Sequence, residues 1–224
     1  MIDNRIQVTR DWQVRATAWE LLAFSLRYPD QLLAEAVSSG EWADAALEVT
    51  GELGLNLPET FEADALVDRG GDAEKLLHAL RVEATRLFVG SPRPEVNPYE
   101  GVWRAADDGV QALLFVNPHS MEVERFCKQC GLGRPEGTNE PLDHVATECE
   151  LLEYLALLAA GTAAPAETGP TLDVLPGGSP EKAYEAFLQD HARAWMPCFA
   201  ETVATETRHS FYRAVAHLLT SNLE

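Results

Sequence analysis

His144 and Glu148 stand four residues apart in "NEPLDHVATECELLEYLALLAAG" (Asn139 to Gly161), a stretch with the apolar spacing of a helix. At about 100° per residue the pair falls on one side of that helix, and Leu151 and Leu155 continue the same stripe. A carboxylate in an apolar stripe is costly unless it is paired or opens onto a cleft. Asp143 places a second acid at the helix start, where the positive end of the helix dipole favours it.

Three chemistries use residues of these types at this spacing. A histidine hydrogen-bonded to its i+4 glutamate is a satisfied structural pair. The same spacing suits a metal, with "ETRH" (Glu206 to His209) supplying a Glu-x-x-His pair; a di-iron bundle, however, needs two such motifs plus two further glutamates. The third is a peptide-binding groove with acids at its rim. Its apolar wall would come from "RLFVGSPRPEVNPYEGVW", which carries Leu87, Phe88, Tyr99 and Trp103 around a Pro-rich loop. Nucleophilic catalysis and nucleotide binding have no comparable support. No serine or cysteine sits in a nucleophile elbow, and neither a P-loop nor a Gly-x-Gly-x-x-Gly occurs. The pair in "CKQC" (Cys127, Cys130) reads as two ordinary thiols near a helix end, since a zinc site would need two further ligands.

The elements that must hold these residues are helical. Asp11 to Leu26 is apolar at helical spacing and ends before "RYPD". Gly40 precedes "EWADAALEVTGELG", and Asp72 caps "DAEKLLHALRVEATRLFVG". Ser120 is the expected cap of "SMEVERFCKQCGL", while "VQALLFVNPHS" cannot be assigned by periodicity. Ser179 and Pro180 open "SPEKAYEAFLQDHARAWMPCFAETV", where Pro197 should kink or end the helix, and a last helix covers "TRHSFYRAVAHLLTSNL". Strand signals are almost absent. The fold class is all-α, a single globular helical bundle with a Pro/Gly-rich hinge before its C-terminal helices. Along the chain, 1–160 forms an N-terminal helical part with the binding motifs, 161–179 a linker, and 180–224 the helices that complete the bundle.

With 46% hydrophobic residues in 224, the chain has enough apolar material for a core. Seventeen Lys+Arg against 36 Asp+Glu give a formal charge of -19, which repels phosphate backbones and anionic lipid. Nucleic acid is therefore not an expected partner; if charge selects a partner it is a basic one, and otherwise the acidic surface serves solubility. Neither a secretory signal nor an apolar run of about 18 residues is present, so the expected location is the cytoplasm, with no membrane span. Four cysteines agree with a reducing compartment.

Three motifs, in order, resemble the TorD/DmsD family of molybdoenzyme maturation chaperones, to which the NarJ proteins are related. "EPLDHVATECELLEYL" is similar to the family's Glu-Pro-x-Asp-His-x-x-x-Glu-Leu signature at Glu140, Pro141, Asp143, His144 and Glu148. "RLFVGSPRPEVNPYEGVW" resembles its Leu-Phe-x-Gly loop, with Gly101 where the family often has serine. "FLQDHARAWMPCF" matches a Phe-His-Trp-Phe spacing at Phe187, His191, Trp195 and Phe199. The resemblance implies a non-enzymatic cytoplasmic chaperone, without a cofactor of its own. Its partners would be the twin-arginine leader and the apo form of a molybdopterin oxidoreductase subunit, held from export until the cofactor is loaded. It also implies a monomer or a homodimer formed by helical exchange, hinged near Thr162 to Pro180. The leader contacts would be Glu140, Pro141, Asp143, His144 and Glu148, with Leu87, Phe88, Tyr99 and Trp103 on the apolar side.

Overall fold

A computed structural model describes residues 2–107, 109, 117–134, 141–165 and 169–224, with backbone alone at 2–6, 106 and 107. Its regular elements are α1 (Ile2–Leu26), α2 (Gln31–Ser39), α3 (Glu41–Leu53), α4 (Phe61–Leu66), α5 (Ala73–Ala84), α6 (Glu100–Asp107), α7 (Pro118–Gln129), α8 (Val145–Ala160), α9 (Pro180–Phe187), α10 (Arg193–Glu206) and α11 (Ser210–Leu223). Turns of π-helix at Thr85–Val89 and Leu188–Ala192 continue α5 and join α9 to α10. Among the described residues no strand forms, and extended pairing is confined to an antiparallel bridge between Tyr99 and His144. The fold is all-α. Glu140 and most of the unassigned "VQALLFVNPHS" (110–116) lie outside the described residues.

Two compact units emerge: Met1–Glu20 with Tyr99–Trp195, and Leu21–Pro98 with Met196–Glu224. The boundaries fall inside α1 and α10, so a division by sequence order, 1–160 against 180–224, does not coincide with them. In the first unit α8 packs against α9 and α6 against α7. Its core holds Trp19, whose indole Nε1 donates to Tyr184 Oη at 2.8 Å, a buried pair that satisfies both polar atoms. In the second unit α2 packs on α5 and α4 on α11 around Trp42, Phe61 and Phe211. Trp42 Nε1 donates to the buried Ser25 hydroxyl at 2.8 Å, which in turn donates to Leu21 O.

Helix starts follow local chemistry. Asp72 Oδ1 accepts from Glu74 N and Lys75 N, and Ser179 Oγ accepts from Lys182 N with Pro180 in the first turn, as the sequence indicates. Two starts differ from expectation. Asn117, not Ser120, caps α7: its Oδ1 accepts from His119 N, and Pro118 takes the first helical position where no N–H is needed. The helix expected from Asn139 begins at Val145, with His144 as its cap through Nδ1 accepting from Ala146 N at 3.2 Å.

Pro197 neither ends nor breaks α10, which runs on to Glu206. The missing N–H falls early in that helix, just after the π-helical turn has reset the hydrogen-bond register, where proline is tolerated. Within the expected linker, Leu172–Val174 and Pro176–Gly178 form short 3-10 turns and Leu175 is buried.

Candidate functional site

The polar centre of the first unit is built from α6, α7, α8 and the α9–α10 junction. Glu100, the first residue of α6, has no exposed surface. Its Oε1 accepts from Arg104 Nη1 at 3.1 Å, and His191 Nδ1 lies 3.2 and 3.0 Å from its two oxygens. Because a carboxylate only accepts, Nδ1 is the protonated nitrogen of that pair. Arg104 Nη1 also donates to Asp190 O at 3.1 Å. His191 stacks on Phe187 with ring centroids 4.7 Å apart, which fixes the ring's plane.

Glu148 is equally buried, one turn into α8. Its Oε2 accepts from Trp195 Nε1 at 3.0 Å, while Oε1 has no hydrogen-bond partner. Burial pushes this carboxyl well above the ordinary range, and the neighbouring Glu100 charge adds to it. The indole N–H opposes the shift without cancelling it, and Asp143 raises it further. Of the two neighbouring acids, Glu100 carries the Arg104 guanidinium on its carboxylate, whereas Glu148 accepts from the neutral indole N–H. Glu148 is therefore the neutral member of the pair.

Asp143 completes the set. Its Oδ2 accepts from Gly101 N at 3.0 Å and from Ser120 Oγ at 2.6 Å, and its backbone O accepts from Glu100 N at 3.0 Å. Asn117 Nδ2 donates to Gly101 O at 2.6 Å. The start of α6 is thus tied to α7 and to the turn before α8. Like Glu148 Oε1, Asp143 Oδ1 is buried without a hydrogen-bond partner.

Of the residues expected at the site, Pro141, Asp143, His144, Glu148, Tyr99 and Trp103 belong to this unit. Pro141, Asp143 and Glu148 are buried; Tyr99, Trp103 and His144 are half-buried. The Tyr99 and His144 rings meet edge to face, centroids 5.2 Å apart. Leu87 and Phe88 belong to the other unit, where Leu87 is fully buried and Phe88 packs against Phe199 and Tyr212. Sequence reasoning did not assign Glu100, Arg104, Ser120 or Asn117 to the site. It quoted His191 and Trp195 in a motif without giving them a task; their polar atoms four residues apart on an otherwise apolar stripe were the available signal.

The metal alternative, through His144, Glu148, Glu206 and His209, has no support. Among the described residues no group of three or more His, Cys, Asp or Glu is arranged to hold a metal ion. His209 Nδ1 caps α11 by accepting from Phe211 N, much as His144 caps α8. Cys127 and Cys130 are buried, and burial pushes both thiols up to about 12, the opposite of an activated pair.

The profile of the family described as nitrate reductase delta subunit matches residues 52–201. The chain belongs to that family. Among curated proteins it is similar to the "Chaperone protein TorD" of Shewanella loihica, 26% identical over 208 residues covering 92% of this chain and 88% of the relative. The protein of the same name from Vibrio cholerae is 29% identical over 167 residues, 75% of this chain and 69% of the relative. A third, from Photobacterium profundum, is 26% identical over 133 residues. These relatives are named chaperones, not enzymes. No helix among the described residues is long and apolar enough to cross a membrane.

Proposed function

We propose that this protein is a maturation chaperone for a molybdenum-dependent oxidoreductase and that it binds the subunit's twin-arginine leader before export. The observation that carries the class is the family match together with the TorD relatives. The leader is the finer part of the reading. It joins two guanidinium groups to an apolar stretch, so a receptor needs carboxylates beside apolar or aromatic surface. The first unit supplies both, with Glu100, Asp143 and Glu148 gathered near the segments bearing half-buried Tyr99, Trp103 and His144. Leu87 has no surface to offer a ligand and backs its own unit's core. His144 serves the site by fixing the start of α8. The working location of such a chaperone is the cytoplasm, where the client is still unexported.

Calorimetric titration with a synthetic leader peptide tests the reading. Asp143→Asn keeps an acceptor for Gly101 N and Ser120 while removing the charge, and is expected to weaken binding by about 1.5–3 kcal/mol. Trp103→Ala is expected to weaken it as well. Unchanged affinity in Asp143→Asn, with the fold intact by circular dichroism, would remove Asp143 from the site; no affinity in the wild type would remove the leader.

A further inference from the structure

We infer that the Glu100 carboxylate is a seat for an arginine side chain of the bound peptide, and that Arg104 holds this seat in the free protein and is displaced on binding. The inference rests on the leader reading above and adds a built-in competitor to it.

Four observations converge. Arg104 already presents a guanidinium to a fully buried carboxylate, through Nη1 to Glu100 Oε1, with a second bond to Asp190 O. The geometry therefore accepts the group that a leader arginine would bring. The two partners are unequally held: the Glu100 side chain has 0% exposure and Arg104 25%, so the acid is fixed and the base has a path to water. Breaking the pair outright would leave a buried carboxylate uncompensated, so Arg104 gives up the seat only to a group that replaces its charge, as a second guanidinium does.

Beside the seat two buried side-chain oxygens stand without a partner. Glu148 Oε1 and Asp143 Oδ1 are buried with no hydrogen-bond partner, although native proteins pair nearly all such atoms. A guanidinium carries five N–H donors in a planar fork. Arg104, anchored on α6 itself, spends Nη1 on Glu100 and Asp190 and leaves those two oxygens unmet. An arginine on a separate backbone is free of that tether. The charges agree: Glu148 lies beside the acids Glu100 and Asp143, and burial together with these neighbours keeps its carboxyl protonated. A cation that also engages Glu148 substitutes for that proton.

The alternative is that Arg104 is a structural tie between α6 and the α9–α10 junction. The two roles predict opposite signs for its removal. If Arg104 fills the seat about nine-tenths of the time, Arg104→Ala raises apparent leader affinity about tenfold, because the competent state is no longer a minority. A leader with both arginines changed to lysine gains nothing, since an ammonium lacks the fork. Arg104→Gln, whose shorter side chain removes the guanidinium but keeps a polar amide on α6, serves as the second variant and is expected to shift affinity in the same direction.

The second readout needs no leader. In Arg104→Ala, methylguanidinium chloride is expected to raise the unfolding temperature saturably above the effect of equal methylammonium chloride, with no such difference in the wild type. Equal or weaker leader binding by folded Arg104→Ala and Arg104→Gln overturns the seat while leaving the leader reading intact. Lack of methylguanidinium rescue in Arg104→Ala also overturns it. Rescue without leader binding by any variant keeps the seat and overturns the leader.

Discussion

Glu148 is a fully buried acid whose two oxygens have different neighbours, and its behaviour with pH follows from that. Its folded-state carboxyl lies above the ordinary range, so its contribution to stability is intact at low pH and lost as pH rises through the folded value. Glu148→Gln mimics the neutral form and keeps an oxygen for Trp195 Nε1. Urea unfolding should find this variant close to wild type at about pH 5 and more stable than wild type at about pH 8. Glu148→Ala removes the buried bond from Trp195 Nε1 and is expected to cost about 1–3 kcal/mol at either pH. A wild-type curve that gains stability over this range relative to Glu148→Gln would contradict the neutral assignment. The anomaly of a glutamate in an apolar stripe was legible from its spacing. Its partners were not, because Trp195 is 47 residues away and Glu100 pairs with His191 across 91, separations that helical periodicity does not encode.

The start of α6 shows how an element is held by its neighbours. A Cβ at Gly101 would collide with Ser120 Oγ and come within 3.0 Å of Asp143 Oδ2. Space, not backbone conformation, requires glycine here, and the Ser120 hydroxyl fills the place a side chain at 101 would take. Gly101→Ser alone is expected to destabilise by about 1–3 kcal/mol through overpacking. Ser120→Ala alone loses a hydrogen bond to a charged acceptor, about 1.5–3 kcal/mol. Together they are expected to cost less than their sum, since the new hydroxyl has the vacated space beside Asp143. A double-mutant cycle by denaturant unfolding measures this coupling, and strict additivity would refute it. Caps such as Asp72 and Ser179 were readable because a cap is satisfied within three residues. Asn117 was also readable from its following proline, but Ser120, nearer the apolar run, drew the assignment; its hydroxyl is committed to Asp143 instead. His144 was misread as helix interior because histidine is an uncommon cap.

At the scale of the molecule, charge is the dominant property. A net -19 attracts cationic ligands over distance, and added salt screens that attraction. Leader affinity is therefore expected to fall several-fold between about 50 and 500 mM NaCl, mainly through a slower association rate; a salt-independent association rate would show that apolar contact alone governs encounter. Composition and periodicity by themselves determined that the chain is all-α, acidic and devoid of an obvious catalytic motif. The order of three short motifs placed it in its family. Tertiary structure alone decided that the chain partitions as Met1–Glu20 with Tyr99–Trp195 and Leu21–Pro98 with Met196–Glu224, and that Leu87 lies in a different unit from Asp143. It alone brought His191 to Glu100 and Trp195 to Glu148. Helix formation depends on neighbours within a turn, and those are written in sequence. Pairing of buried charges depends on which helices pack together, and that is fixed by the fold as a whole.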